Sequence, residues 1–261
     1  MTTRFQSKSL GKSVEGRDLT AFANFSWECA PPTNLTLILG GVHGDEPAAY
    51  ELVLRFMEEK DGRLDAPVIV WPLVNPDSLA RNTRYNANGT DLNRNCGYLW
   101  SSDSEEPPGT SPWSEPENQA LRNLVLQWHP AKIATLHWAL GELDADGAHS
   151  KSLLETMWNS MSEHERVPYR CHLQTESSAN TSLPGSFGRW CGFAVQYPDG
   201  SRPAIVTLEL PYDPVLPRPE RLPNDHLEQL RTRWQQDAAG YNDAVYPAVH
   251  KMLLAACSAV I

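Results

Sequence analysis

Positive charge is scarce in this sequence. Of its 261 residues, 22 are lysine or arginine and 32 are aspartate or glutamate, which gives a formal net charge of −10. Nucleic-acid-binding proteins gain affinity by neutralising phosphates and releasing counterions, and an acidic chain gains nothing from this effect. We therefore expect no nucleic-acid partner.

Long hydrophobic runs are also lacking. No stretch approaches the roughly 18 consecutive apolar residues that indicate a membrane-spanning helix. The N-terminal stretch, MTTRFQSKSLGKSVEG, has no apolar segment of the kind found in signal peptides. These features predict a cytoplasmic protein that does not enter a membrane. A leader that had already been removed would leave no trace in the sequence.

Cysteine is infrequent and scattered. The sequence contains five, an odd number, at Cys29, Cys96, Cys171, Cys191 and Cys257. Zinc knuckles need closely spaced pairs, and these positions offer none. Scattered thiols in the reduced state are typical of a cytoplasmic protein.

The composition that remains is that of a globular chain. It is 41% hydrophobic and 21% charged over 261 residues, enough for one domain with a full core. Apolar strand-like runs alternate with helical patterns, and there is neither an internal repeat nor a long linker. We therefore predict an α/β fold in which residues 1–261 form a single domain.

One stretch, Leu35–Glu51, combines a buried strand with polar residues that can act chemically. An apolar run ends at Gly40 and Gly41, and His43 and Glu46 follow before a helical pattern begins. Ligands bind at the carboxyl ends of strands in open α/β sheets, which is where this pair would lie. One imidazole and one carboxylate suit zinc, but such a pair is common on surfaces and is weak evidence alone.

Two further apolar strands lead to candidate residues. The strand at 131–136 is followed by His137, and the strand at 204–210 carries Glu209 near its carboxyl end. Parallel strands would bring these residues to the edge that holds His43 and Glu46. Two histidines, one carboxylate and an open position make a catalytic zinc site, and a second carboxylate can accept a proton from water. From the residues alone, His137 could instead be a core histidine and Glu209 a partner of an arginine.

A polar segment at 78–95 contains three arginines, Arg81, Arg84 and Arg94. In so acidic a chain, this concentration of positive charge predicts a local anion site. The alternative is a polar loop that its own asparagines hold in place.

The other patterns give a coarse outline of the fold. Residues 4–27 are predicted to form a hairpin at an edge of the sheet, and residues 47–60 a helix. The strand at 68–74 contains Pro72, which indicates an edge position, a bulge or an early end. We expect one helix at 149–165, and a strand followed by a loop at 169–183.

An ordered set of motifs resembles the zinc carboxypeptidase family. It consists of GGVHGDE at 40–46, RYNANGTDLNRN at 84–95, His137 and Glu209. SEPENQAL at 114–121 and PGSFGRWC at 184–191 further resemble the bacterial branch that cleaves the γ-D-glutamyl–meso-diaminopimelate bond of murein peptides. The resemblance implies the zinc-carboxypeptidase-like fold, a mixed, mostly parallel sheet flanked by helices on both faces.

The resemblance also implies roles for individual residues. Glu209 would be the general base and later the proton donor, and Arg84 would hold the oxyanion of the transition state. Asp91 would accept the N–H of the first zinc histidine and fix its tautomer. The residues that would bind one Zn²⁺ per chain are His43, Glu46 and His137.

Substrate recognition is implied by the same comparison. Asn93 and Arg94 match the pair that holds a terminal carboxylate, to which the arginine fork is suited. Asp45 stands where the digestive carboxypeptidases have an arginine, and it could meet the ammonium group of diaminopimelate. Trp138 would narrow the pocket by its bulk. Tyr197 is the nearest candidate for the flap tyrosine of carboxypeptidases, although a loop position is the simpler interpretation.

The predicted substrate is a small acidic peptide, a murein tripeptide or tetrapeptide, cleaved by metal-activated water. Two rival enzymes are an N-acyl amino acid hydrolase of the succinylglutamate desuccinylase or aspartoacylase type and a C-terminal metallocarboxypeptidase. A rival of another class is a non-catalytic, zinc-containing peptide-binding protein. The oligomeric state is left open.

Overall fold

The computed structural model describes residues 4–175, 183–218, 220 and 226–261. Within these residues, eight strands form one sheet in the order β1-β2-β4-β3-β5-β8-β6-β7. The strands are β1 (Gln6–Lys12), β2 (Asp18–Ala23), β3 (Thr36–Leu39), β4 (Val68–Trp71), β5 (Lys132–Trp138), β6 (Glu142–Asp146), β7 (Arg170–Gln174) and β8 (Ala204–Leu210).

The centre of the sheet is parallel. Strands β4, β3, β5 and β8 run side by side in one direction, and β7 is parallel to β6. The pairs β1–β2, β2–β4 and β6–β8 are antiparallel. The predicted mixed, mostly parallel sheet is therefore confirmed.

Helices cover both faces of the sheet. Alternate residues of the central strands face opposite sides, as the pleat requires, so that Ile38 joins one hydrophobic core and Leu37 and Leu39 join the other. The helices are α1 (Pro47–Lys60), α2 (Pro76–Arg81), α3 (Pro116–Trp128), α4 (Lys151–Ser160), α5 (Glu163–Arg166), α6 (Phe187–Arg189), α7 (His226–Gln236) and α8 (Ala238–Ser258). Buried residues of α1, α4 and α8 fill the first core, and those of α3 and α6 contribute to the second. Within the described ranges, no helix is long and apolar enough to span a bilayer.

Most predicted elements are present, with two differences in extent. The strand at 68–74 ends at Trp71, directly before Pro72, so the proline ends it early. The single helix expected at 149–165 is two helices, because Ser162 starts a new one through a capping box with Glu165. The strand expected after Tyr169 is β7, and residues 176–182 of the same prediction lie outside the described residues.

Strand β6 was not predicted. Its sequence, Glu142–Asp146, alternates charged and apolar residues, and Leu143 and Ala145 are fully buried in the core. The charged residues Glu142, Asp144 and Asp146 therefore share the opposite face of the strand. This strict alternation was the signal that could have identified the strand.

Candidate metal centre

The carboxyl ends of three parallel strands meet at one edge of the sheet. Strand β5 lies between β3 and β8, and Leu39 of β3 pairs with Thr135 of β5. His137 on β5 pairs directly with Glu209 on β8. Because paired residues on adjacent strands point to the same face, the two side chains project together from this edge.

The loop after β3 is fixed against the neighbouring turn. Gly44 packs so closely on the backbone of Ser78 that a β-carbon on it would lie 2.0 Å from the Ser78 carbonyl carbon. Only glycine fits at this position, and the close contact determines where the residues on either side of it can lie. Pro47 then starts α1, so that Glu46 stands at the helix N-cap.

His43, Glu46 and His137 form a compact, buried group. Nδ1 of His43 lies 2.8 Å from Glu46 Oε1, and Nδ1 of His137 lies 3.2 Å from Glu46 Oε2. One possible ligand atom from each of the three residues lies within 4.8 Å of the others, and all three side chains are buried. Two imidazoles and one carboxylate with this spacing are the donor set of a catalytic zinc site.

The protonation of this group fits a metal-binding role. Burial alone would lower the pKa of His43, but the charges of Glu46 and Asp91 outweigh it and raise the pKa to about 9. Burial lowers the pKa of His137. The pKa of Glu46 falls well below its ordinary value, because the two histidines outweigh the burial that would raise it. The donor set therefore has an ionised carboxylate and one proton that a cation would displace.

Asp91 joins this group to Arg84. Asp91 Oδ1 lies 3.1 Å from His43 Nε2, and its Oδ2 accepts a hydrogen bond of 2.9 Å from Arg84 Nε. Burial would raise the pKa of Asp91, but the neighbouring His43, Arg84 and Arg94 hold it well below its usual range. A carboxylate on Nε2 leaves Nδ1 of His43 facing the donor set, and Asp91 is the residue that the resemblance implies for this contact.

Arg84 lies beside the donor set. Its Nη1 is 3.4 Å from both Glu46 Oε1 and His43 Nδ1. Asp91 accepts from its Nε, which leaves Nη1 on the side of the donor set. Its pKa is raised, because the surrounding carboxylates outweigh its burial.

The environment of Glu209 raises its pKa, whereas the environment of Glu46 lowers the pKa of that residue. Burial and the negative charge of Glu46 raise its pKa to about 8, and His43 and Arg84 only partly offset this effect. The side chain remains partly exposed to a cleft. A carboxylate with a raised pKa next to a metal donor set is suited to accepting a proton from water and returning it.

The 84–95 segment has features of both alternatives that the sequence left open, a loop held by its own asparagines and a group of charged residues beside the reaction site. Its asparagines do hold it in place, since Asn86 Nδ2 donates to Glu115 Oε2 at 2.7 Å and Asn95 Nδ2 donates to the carbonyl of Pro108 at 2.8 Å. The charged residues Arg84 and Asp91 nevertheless face the donor set. Arg81 does not join them, contrary to the predicted three-arginine site, because it forms an exposed ion pair with Glu15.

Asn93 and Arg94 follow Asp91 on a short helical turn. Asn93 lines the cleft, and its Oδ1 accepts a hydrogen bond of 2.9 Å from the backbone N–H of Phe187. Arg94 is half-buried, and its Nη1 donates to the Asn93 carbonyl at 2.7 Å. The two residues lie near the donor set, and their role in holding a carboxylate remains a prediction.

Three expectations are not favoured by the structure. Asp45 forms an ion pair with Arg231 of α7, which already occupies one carboxylate oxygen that a substrate ammonium would need. Trp138 does not narrow the site, because its side chain lies in the core and donates to Tyr241 Oη at 2.8 Å, while its backbone N–H donates to Glu46. Tyr197 is buried, and its hydroxyl donates to the carbonyl of Pro130 at 2.9 Å.

Tyr197 belongs to the opposite edge of the sheet. It lines a cavity of about 440 Å³ together with Ala131 and Ala204, which lie at the amino ends of β5 and β8. This cavity is larger than the cleft beside Glu209, but none of the donor residues lines it. The size of a cavity therefore does not identify the position of the metal centre in this protein.

The cleft beside Glu209 has a volume of about 310 Å³. Its wall is the charged face of β6, and the buried ion pair between Asp146 and Arg189 belongs to the same lining. Sequence reasoning named neither of these residues nor Asp144. They belong to the unpredicted strand β6 and to α6, which follows the PGS turn.

A buried two-histidine, one-carboxylate donor set with an adjacent proton acceptor and an arginine defines a metal-dependent hydrolase of the peptidase or amidase class. Residues 2–140 match the zinc carboxypeptidase family. The chain is 33% identical over 198 residues to murein peptide amidase A of Escherichia coli K12, covering 69% of this chain and 76% of the relative. It belongs to the zinc carboxypeptidase family.

Further similarities agree with this assignment. Murein peptide amidase A of Vibrio campbellii is 31% identical over 221 residues, which cover 78% of each chain. The solved murein-tripeptide amidase of Escherichia coli O157 superposes with a TM-score of 0.53 at 24% identity over 87% of this chain and 90% of its own. Thrombin-activatable fibrinolysis inhibitor gives a TM-score of 0.67 at 19% identity, over 98% of this chain and 70% of its own. These structural matches show the same fold.

Proposed function

We propose that this enzyme is a zinc-dependent amidase that cleaves the γ-D-glutamyl–meso-diaminopimelate bond of murein peptides. The observation that carries the proposal is the similarity to murein peptide amidase A over 69% of the chain, in a protein whose His43, Glu46 and His137 form a buried group that could hold a metal ion. The substrate would be a murein tripeptide or tetrapeptide, and one zinc ion per chain would bind to His43, Glu46 and His137.

Each residue would have a distinct task. Zinc, when bound, supplies Lewis acidity, which polarises a carbonyl and makes water a stronger acid. Glu209 would take the proton of the attacking water, for which its position opposite His137 is suited. Arg84 would hold the carbonyl oxygen as negative charge develops there. Glu209 would then return the proton to the leaving amine, which restores the carboxylate.

The chain's own contacts would keep these groups oriented. Asp91 holds both His43 and Arg84, so one carboxylate sets the direction of a metal ligand and of the oxyanion-binding arginine. Asn93 and Arg94 would hold the carboxylate next to the scissile bond on the leaving side. A bidentate arginine contact would position the amide without taking part in the proton transfer.

The proposal is tested by hydrolysis of L-Ala-γ-D-Glu-meso-diaminopimelate. Zinc-loaded enzyme is expected to release free diaminopimelate, detected by mass spectrometry. Glu209→Gln is the control, because it keeps the shape of the side chain but cannot accept a proton, and it is expected to lower kcat by about 10²- to 10⁴-fold. Metal analysis of both proteins should give one zinc per chain.

The outcomes separate the candidates. Zinc binding without diaminopimelate release would contradict the murein amidase. A C-terminal metallocarboxypeptidase is the second candidate, favoured by the family to which the chain belongs. It would release the last residue from α-linked peptides, so a matched peptide with an α-glutamyl bond in place of the γ-glutamyl bond distinguishes the two.

A further inference from the structure

His43 and Glu46 lie at residues 40–46, a loop that is neither helix nor strand. Backbone groups in such a loop must find their hydrogen-bond partners elsewhere, because no regular ladder supplies them. A metal site nevertheless requires that its ligand atoms are held to within a fraction of an ångström. The position of His43 must therefore be fixed by contacts from outside the loop.

The residue that reaches this loop is Asn75, which directly precedes α2 and is fully buried. Its Nδ2 donates a hydrogen bond of 3.1 Å to the carbonyl of Val42, the residue before His43. Its backbone N–H donates to the carbonyl of Gly41 at 2.9 Å. Asn75 therefore holds two consecutive peptide groups immediately ahead of His43.

The loop is also held directly after His43. The N–H of Gly44 donates to the carbonyl of Thr83 at 3.0 Å, and Gly44 packs on the backbone of Ser78. Thr83 and Ser78 are themselves joined, because the Thr83 N–H donates to the Ser78 carbonyl at 3.0 Å. The backbone on both sides of His43 is thus held by one segment, which begins at Asn75.

The side chain of Asn75 makes two different hydrogen bonds. Its Oδ1 accepts from the N–H of Ser78 at 3.2 Å and so caps α2, while its Nδ2 donates to Val42. A helix N-cap needs only an acceptor, which serine, threonine and aspartate also provide. The donation to Val42 is therefore not required by the helix, and it acts on the loop that carries His43.

The segment that begins at Asn75 is anchored in turn. Asp77 is fully buried and accepts hydrogen bonds from Ser13 Oγ at 2.8 Å and from the backbone N–H of Glu15 at 2.9 Å. Arg17 adds an ion pair with Asp77 at 2.6 Å. These three residues lie at the turn between β1 and β2. Because the segment is fixed to this hairpin, the hydrogen bond from Asn75 restrains the loop instead of moving with it.

We propose that Asn75 is a positioning residue for the metal centre, which fixes the backbone of His43 through its hydrogen bond to the Val42 carbonyl. Asp91 orients the imidazole ring, but contacts to the main chain determine where that ring is attached. This inference rests on the proposed role of His43 as a metal ligand. Without the Asn75 donor, a buried carbonyl loses its partner and the loop must rearrange to find another. The ligand nitrogen is then no longer held in place before the metal binds, and affinity falls.

Asn75→Ser separates the two hydrogen bonds of the side chain. Serine caps a helix about as well as asparagine, but its side chain is too short to reach the Val42 carbonyl as well. Competition with a chelator should show a zinc affinity about tenfold below that of wild type, the lower end of the range for losing a contact that orients a ligand. Asn75→Thr keeps more of the volume and should show the same loss, which serves if the serine variant does not fold.

Asn24→Ser is the matched control. Asn24 is also buried, its Nδ2 donates to the carbonyls of Leu64 and Ala66, and its Oδ1 accepts from the N–H of Val68 at 2.8 Å. Val68 starts β4, so these contacts lie at the amino end of the strand and not at the metal edge. Asn24→Ser should lose stability towards urea as Asn75→Ser does, but its zinc affinity should equal that of wild type.

Hydrogen exchange in the zinc-free protein gives a readout that does not depend on the metal. Peptides that cover residues 40–46 should exchange faster in Asn75→Ser than in wild type. In Asn24→Ser the exchange of these peptides should be unchanged, and any increase should be confined to residues 64–68. A general loss of stability would raise exchange in both regions of both variants.

The results distinguish this inference from the proposed function. If wild type binds zinc but releases no diaminopimelate, and Asn75→Ser binds zinc more weakly, the proposed substrate fails and this inference stands. Equal zinc affinity in wild type and Asn75→Ser, or equal losses in Asn75→Ser and Asn24→Ser, would overturn the inference. A weaker affinity without faster exchange at residues 40–46 would also overturn it. A wild type that binds no zinc would contradict both the proposed metal site and the role of Asn75.

Discussion

The carboxylates of the metal centre and those of the cleft next to it have pKa values that are shifted in opposite directions. Glu46 and Asp91 are surrounded by histidines and an arginine, and the pKa of each is lowered despite burial. Glu209 and Asp144, which line the cleft, have raised pKa values because burial dominates. Carboxylates with complete sets of partners are held as fixed ligands and supports. The carboxylates of the cleft, with their raised pKa values, are better suited to accepting a proton.

The largest expected effect is a difference in stability between substitutions of two acidic residues of β6, Asp146 and Asp144. Asp146→Asn removes the negative partner from a buried ion pair with Arg189, and breaking such a pair costs about 3–5 kcal/mol of unfolding free energy. Asp144→Asn removes a carboxylate whose raised pKa makes it destabilising at neutral pH, so stability should be unchanged or slightly increased. Urea denaturation of the zinc-free protein at pH 7 measures both.

Equal losses of stability in Asp146→Asn and Asp144→Asn would contradict this prediction. That result would mean that Asp144 also has a stabilising partner, and it would remove the distinction between the two acids of the cleft. Asp199→Asn, on an exposed loop where Asp199 accepts hydrogen bonds from Ser201, gives the baseline for a surface substitution.

Arg84→Lys tests the oxyanion role at the metal centre. Lysine keeps the charge but cannot contact Asp91 through one nitrogen while presenting others to the substrate, as Arg84 can. We expect kcat to fall by about 10²- to 10³-fold, the cost of losing one oxyanion donor, with a smaller change in KM. Steady-state kinetics on the murein tripeptide and a zinc assay would measure this.

Arg81→Lys is the matched control for Arg84→Lys. It lies three residues earlier in the same segment, but its partner is the exposed Glu15, and its kinetics should equal those of wild type. If Arg84→Lys retained full kcat, the arginine would serve only to hold Asp91. Loss of zinc in that variant would lead to the same conclusion.

Asp91→Asn should weaken metal binding by about tenfold to a hundredfold. The amide can still accept from His43 Nε2, but the negative charge that makes the imidazole a better ligand is gone. Competition for zinc with a chelator of known affinity measures the change, with Asp199→Asn as the control. Unchanged affinity would show that the orientation of His43 is set by the loop packing around Gly44 alone.

The sequence contains most of the information about the metal edge. His43 and Glu46 follow a short buried run, and His137 and Glu209 end two more, so the rule for parallel sheets is enough to bring them together. Each residue lies within a few positions of a recognisable strand. Local patterns and one topological rule predict that these four residues meet at one edge, and the resemblance to the zinc carboxypeptidases implies their roles, because the residues alone leave other interpretations of His137 and Glu209 open.

The cleft could not be predicted in the same way. The charged alternation of Glu142–Asp146 was not recognised as a strand, so no reasoning placed Asp144 beside Glu209. The partner that occupies Asp45 is Arg231, 186 residues away in the chain, and no local pattern indicates that contact. Tyr197 was considered from its order in the chain, but the loop that carries it lies at the amino ends of the strands. These features depend on tertiary packing.

The smallest expected effect concerns the proton on His43. The charges of Glu46 and Asp91 outweigh burial and raise its pKa to about 9, so the histidine is protonated at pH 7 in the metal-free protein. Zinc must displace this proton, and the apparent affinity should rise about tenfold per pH unit below pH 9 and level off above it. Calorimetric titrations in buffers of different ionisation enthalpy should show at least one proton released per zinc at pH 7, from His43, with a further contribution from Glu209, whose pKa is about 8 in the metal-free protein. The same titration of Asp91→Asn should show less release, because removing one of the two charges lets burial lower the pKa. A release that does not depend on Asp91 would mean that Glu46 alone keeps the proton on His43. Among the carboxylates of the metal centre, only Glu46 would then act on the pKa of this histidine.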